Sequence, residues 1–274
     1  MTKISLTALE QATTFPPAVH DWLQVLGDAI VATETQALGA GTILADTPYK
    51  RLLVRGVARD IRSLKGIYVL LRLELIPQAA ALVRVLCESL ITFRFVAVDP
   101  QIRAGRFEEY GLIEEYRFTE ALLQAERERT SPVYLRELEA HLAQIQVEYR
   151  ELLPTYSHVD EKGKRQIYRT WSGKKIAELA EDPNVALGRF YKAVYKQMSA
   201  YIHGTSWSLR REHAYYANNY DSKIVLVDVA TIVRNTIGVW VEWGKFCQQE
   251  LGWQLVPVCA RLIERIDELD RITR

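Results

Sequence analysis

Two sets of polar side chains sit at helical spacing inside otherwise apolar sequence. Arg84 and Glu88 lie four residues apart within QAAALVRVLCESLITFRFVAV, so on a helix they share one face. Charges taken out of water are costly unless paired and hydrogen-bonded. The pair therefore has two uses: an ion pair that fixes helix register, or a polar cleft in which Arg84 clamps a phosphate or other anion while Glu88 orients it or acts as a general base. Tyr195, Ser199 and His203 are also spaced by four, which aligns a phenol, a hydroxyl and an imidazole along one stripe. His203 falls in the last turn of a helix that stops at Gly204, where the helix dipole favours the imidazolium by about 0.3–1 kcal/mol. That keeps a proton available near neutrality and suits a general acid or base. The plainer use of His203 is to cap the last carbonyls.

A third group pairs aromatics with cations near loops: Trp171 with Lys174 and Lys175, and Trp207 with Arg210 and Arg211. Rings beside cations can stack bases and neutralise phosphates; tryptophans at a core edge beside ordinary surface charges have the same sequence signature. The chain has no P-loop, zinc-protease, paired-cysteine or kinase signature, which removes those chemistries. A serine nucleophile is disfavoured because no strand-turn-helix elbow is present. Arg136 and His141 satisfy an Arg-then-His nuclease spacing, but in a charged helix of an arginine-rich chain such a match arises by chance and reads as a solvated face. Cys87, Cys247 and Cys259 are widely separated in apolar contexts, as expected of free buried thiols in a reducing compartment. No cofactor and no metal site is expected.

The elements that must position these residues are helices throughout. Apolar positions recur near a period of 3.6, and the nine prolines and fourteen glycines fall mostly at pattern breaks. The pattern predicts a helix from Pro17 to about Leu38 and a long amphipathic helix from Pro48 to Leu75 with its stripe on Leu53, Val57, Ile61, Leu64 and Tyr68. Next comes a helix over 77–98 that is apolar around nearly its whole circumference and so central and buried. Charged helices are expected over 101–129 and 132–153, then a loop over 154–170 and a short helix capped by Ser172 and running to Asp182. Pro183 opens a helix ending at His203; a loop covers 204–222, and two helices close the chain over 226–250 and 254–272. The β-branched residues 224–229 also permit a strand, though no partner strand is evident. The fold class is thus all-α: one domain over 1–274, a single bundle of eight or nine helices around helix 77–98, with residues 1–14 open to disorder.

Lys+Arg 35 against Asp+Glu 34 gives a net charge of +1, so no global field draws nucleic acid or anionic membrane, and any such contact is a local patch. A membrane span over 77–98 would bury Arg84 and Arg94 at about 2.5–3.5 kcal/mol each, and the N-terminal residues lack a secretory apolar core. A cytoplasmic protein without membrane contact is expected.

ALVRVLCESL followed by Asp99-Pro100, then WSGKKIAELAE, then YKAVYKQMSAYIHG together resemble the bacterial domain-of-unknown-function family 5677, over about residues 50–205. The resemblance implies an all-helical fold and joins Arg84, Glu88, Tyr195, Ser199 and His203 into one site. Members look distantly similar to HEPN-type helical proteins of toxin and phage-defence loci, which implies RNA or a nucleotide as ligand and a metal-independent ribonuclease with His203 as acid/base and Arg84 as phosphate clamp. The Arg and His come from different helices here, a departure from the HEPN motif. The alternative is a non-catalytic module that binds a partner protein, its buried polar network being structural; a homo-oligomer is compatible with either.

Overall fold

The computed structural model describes residues 17–39, 47–127, 132–202 and 222–273. Contacts divide the chain into two compact units, residues 1–95 with 180–274, and residues 96–179. Both are helical, as the periodicity predicts. His203, Trp207, Arg210 and Arg211, and most of the loop read over 204–222, lie outside the described residues, as do residues 1–14.

In the first unit, α1 (Pro17–Gly39), α2 (Pro48–Arg72) and α3 (Ile76–Ala97, its end passing into the other unit) are joined by α9 (Ser222–Leu251) and α10 (Val256–Thr273). Helix α1 packs against α2, α9 and α10, and α9 also packs against α10. Thr47 caps α2 by accepting the Lys50 N–H at 3.2 Å, with Pro48 just inside the start. Residues 224–229 are helical: without a partner strand, β-branched residues join the helix and bury Val225 and Val229. Helix α3 has the densest burial, with Ala79, Ala80, Val83, Cys87, Leu90, Ile91 and Val96 all at 0% exposure. Its circumference is not sealed, however. Val85 is exposed, and the side chains of Arg84 and Glu88 keep 28% and 38% of their surface, so this pair sits at the rim of the core. Close approach of α2 to α3 depends on Gly56, where an added Cβ would collide with the ring of Phe93.

The stretch after Glu181 differs from expectation. Pro183 does not begin a helix: Asp182 accepts the Asn184 N–H at 3.0 Å, and Ala186 takes a positive φ of 55°, so these residues form a turn. The helix starts instead at Gly188, as α7 (Gly188–Phe190), widens into a π-helical turn (Tyr191–Tyr195), and continues as α8 (Lys196–Ile202).

The second unit holds α4 (Pro100–Glu126) and α5 (Pro132–Leu152), packed along one another, and α6 (Ile176–Glu181), whose end passes into the first unit. Its core is Tyr110, Ile113 and Tyr156, flanked by Tyr149, Leu152, Ile167, Tyr168 and Trp171. Residues 154–170, read from sequence as a loop, instead contain a hairpin, β1 (Ser157–Val159) against β2 (Arg165–Ile167). The alternation was too short to register as a strand signal, yet the turn chemistry at Asp160 and Gly163 suffices to close it. Ser172 does not cap α6; its Oγ accepts the Lys174 N–H at 3.2 Å in a local turn. The helix is capped one turn on, where the Lys175 N–H donates to Glu178 Oε2 at 2.6 Å.

Candidate functional site

Helix α3 presents Arg84 and Glu88 from successive turns, and the π-turn brings Tyr195 against them. Arg84 Nε and Nη2 donate to Glu88 Oε1 at 3.3 and 3.2 Å, and the Tyr195 hydroxyl donates to the same oxygen at 2.7 Å. The guanidinium also lies 4.8 Å from the centroid of the Tyr195 ring, a cation–π distance. Tyr191 stacks on Tyr195 with centroids 4.7 Å apart. Tyr195 itself is 9% exposed. Arg84 and Glu88 thus form the partly exposed end of a network whose Tyr195 end is buried.

The electrostatics assign distinct capacities to these groups. Burial, the hydrogen bond to Glu88 and its charge all push the Tyr195 phenol well above its ordinary value, against the opposing pull of Arg84. Tyr195 therefore remains a proton donor and does not serve as a base. Burial pulls Arg84 down, but Tyr195 and Glu88 outweigh it and hold the guanidinium above its ordinary value; it is a permanent cation.

Ser199, one turn along α8, donates its hydroxyl to the Tyr195 carbonyl at 2.8 Å. Its proton is committed to the helix backbone, which leaves it a positioning role and not that of an activated nucleophile. Arg84, Glu88 and Tyr195 are thus brought together, with Ser199 on the adjoining turn, while His203 lies beyond the described residues. Trp171 belongs to the other unit, where it meets Phe107 edge-on with centroids 5.5 Å apart and packs on the tyrosine cluster. Lys174 and Lys175 beside it are exposed. His141 pairs with Glu115 at 2.8 Å on exposed helix surface, the solvated face its sequence context suggests.

A second polar network went unread in the sequence. Asp60 of α2 and Ser89 of α3 are 5% and 4% exposed; Ser89 Oγ donates to Asp60 Oδ2 at 2.5 Å and accepts from Arg59 Nη2 at 2.8 Å. Burial raises the Asp60 carboxyl to about 6, although Ser89 and Arg59 pull it down. The signal was available: Asp60 lies four residues from both Gly56 and Leu64, on the buried stripe of α2. Among the described residues no group of three His, Cys, Asp or Glu side chains is placed to hold a metal, and no helix is long and apolar enough to cross a membrane.

Neither the curated proteins nor the solved structures include a match to this chain. The sequence model for the family of unknown function DUF5677 matches residues 50–219, more than half of the chain, a span that holds Arg84, Glu88, Tyr195 and Ser199 together with both polar networks. The chain belongs to that family.

Proposed function

We propose that the protein binds a phosphate-bearing ligand, RNA or a nucleotide, at Arg84 and acts on it in the cytoplasm as an HEPN-like, metal-independent ribonuclease of phage defence or a toxin system. One observation carries this reading: Glu88 Oε1 accepts from Arg84 and Tyr195 at once while the Arg84 and Glu88 side chains stay partly exposed at the rim. A guanidinium held from behind by a carboxylate and a ring is pre-organised, so less side-chain freedom is lost when an anion docks on its exposed edge. The π-turn supports the same view, because such widened turns recur at functional sites. Arg84 is the phosphate clamp, Glu88 and Tyr195 position it, Ser199 steadies the turn, and His203 moves the proton. The HEPN likeness enters through the family resemblance alone.

A second reading has its own support. Two of the Arg84 donors are already given to Glu88, and Ser199 is given to the backbone. A closed network of this kind locks α3 to the π-turn in a non-catalytic module that binds a partner protein. Cleavage of labelled RNA by the parent protein, His203→Ala and Arg84→Ala separates the two. Loss of at least a hundredfold in both variants, with folding retained, is the expected result. Equal cleavage by all three, or none by any, together with lowered thermal stability of Arg84→Ala alone, overturns the ribonuclease reading in favour of the second.

A further inference from the structure

The hairpin of the second unit offers a surface of another kind. Between His158 and Lys175 the sequence holds six cations, Lys162, Lys164, Arg165, Arg169, Lys174 and Lys175, against Asp160 and Glu161, in a chain whose net charge is +1. All six are exposed. Asp160 is consumed by the turn: Oδ1 accepts the N–H groups of Lys162 and Lys164 at 3.0 and 2.9 Å, and Oδ2 accepts from Gln166 Nε2 at 3.0 Å. Gly163, at φ 74°, donates its N–H to the Asp160 carbonyl at 2.9 Å, and the Asp160 N–H returns to the Lys164 carbonyl at 2.9 Å. A left-handed position of this kind suits glycine. The turn thereby presents Lys162, Lys164 and Arg165 from a fixed backbone.

Behind the turn, the pairing of His158 with Gln166 sets His158 diagonal to Tyr168. Their rings stack with centroids 5.3 Å apart and planes 22° apart. The backbone of Tyr168 is anchored, its carbonyl accepting the Tyr110 hydroxyl at 2.7 Å, while His158 is exposed. An open ring stack and a track of cations therefore share one two-stranded element.

We propose that this hairpin docks a single-stranded nucleic acid, with phosphates held by Lys162, Lys164 and Arg165 and a base stacked on the His158–Tyr168 pair. Sites for single strands combine these two parts: a cationic groove that follows the backbone, and aromatic faces on which bases stack without regard to sequence. An anionic membrane is the poorer fit, because Val159 is the one large apolar side chain that the hairpin exposes, too little to enter a bilayer. The choice of ligand rests on the RNA reading above, but the residues are different ones.

The test is fluorescence anisotropy on the full chain with oligonucleotides of roughly 20 uridines as RNA and 20 thymidines as DNA, a length that covers more than one binding site of this kind. The parent is compared with Lys162→Gln/Lys164→Gln/Arg165→Gln, with Lys162→Gln alone, with His158→Ala and with Arg84→Gln. The triple variant is expected to bind at least tenfold more weakly, with a slope of log affinity against log salt shallower by about two. Lys162→Gln alone takes a smaller share of that loss and keeps the test open if the triple variant does not fold, and His158→Ala loses several-fold. Binding of both oligonucleotides assigns single strands in general; RNA alone restricts the site to ribose. Absence of parental binding at low salt, unchanged affinity in the hairpin variants, or tighter binding to phosphatidylserine vesicles than to either oligonucleotide overturns the proposal. Arg84→Gln distinguishes the two readings: hairpin-dependent binding with cleavage indifferent to Arg84 keeps the hairpin and removes the Arg84 site, whereas Arg84-dependent cleavage with indifferent hairpin variants does the reverse.

Discussion

The phenol of Tyr195 donates to Glu88 Oε1 at 2.7 Å, joining positions 107 residues apart. Because the acceptor is a carboxylate and the phenol is buried, this is the stronger class of hydrogen bond, worth about 1.5–3 kcal/mol when intact. Glu88 keeps 38% of its side-chain surface, and solvent reduces that figure. Tyr195→Phe is expected to destabilise the protein by about 1–2 kcal/mol in urea unfolding. Arg84→Gln, which breaks a solvent-screened ion pair, costs under about 1 kcal/mol. The reverse order of the two variants contradicts the geometry.

Asp60 makes stability depend on pH in the direction opposite to most carboxylates. Its folded value of about 6 lies above the ordinary 3.8, so the folded state holds the proton more tightly than the unfolded one. The associated stability is complete below about pH 4 and is lost as pH rises through about 6, amounting to about 3 kcal/mol. Asp60→Asn leaves an acceptor for Ser89 and removes the titration. In urea melts, the stability of the variant relative to the parent is expected to rise between pH 4 and pH 7; a constant difference would falsify the assignment.

Gly56→Ala drives a methyl group into the Phe93 ring. Overpacking of this kind costs about 1–3 kcal/mol. Adding Phe93→Leu should recover part of the loss, so that the double variant is more stable than the sum of the single changes implies. Strict additivity in a double-mutant cycle means that the two helices approach elsewhere.

All three cysteines are buried and free. Burial pushes the Cys87 thiol up to about 12 and Cys259 to about 11, and raises Cys247 further. Since the thiolate is the reacting species, a thiol reagent at pH 8 should label none of them rapidly in the native protein and all three in urea. Fast stoichiometric labelling of the native state at one position identifies a local opening there.

The helices were legible in the sequence because burial recurs along them at a sustained period: α1, α2, α4 and α5 begin within a residue of positions marked by proline. The turn at 182–187 was not, because Pro183 suits the first position of a helix as well as a turn, and the choice was made by Asp182 and the left-handed Ala186. The hairpin escaped because three-residue strands carry too little alternation, although Asp160 and Gly163 spelled out its turn. In the site, the spacing of four put Arg84 beside Glu88, but the meeting with Tyr195 is a tertiary event that periodicity does not encode. Asp60 was passed over since a single acid on an apolar stripe reads as an interruption until its partner on the neighbouring helix is seen.

The widened turn at Tyr191–Tyr195 separates chain length from facing. A π-turn amounts to one surplus residue absorbed within a helix. A chain one residue shorter between Phe190 and Lys196 can close there as an ordinary α-helical turn and still show the same face of α8 to its surroundings. A deletion inside α3 has no such reserve: it turns the rest of the helix by about 100° and carries Glu88 out of line with Tyr195. A length difference between Tyr191 and Tyr195 that keeps both tyrosines is therefore expected to be tolerated better than one at 84–88.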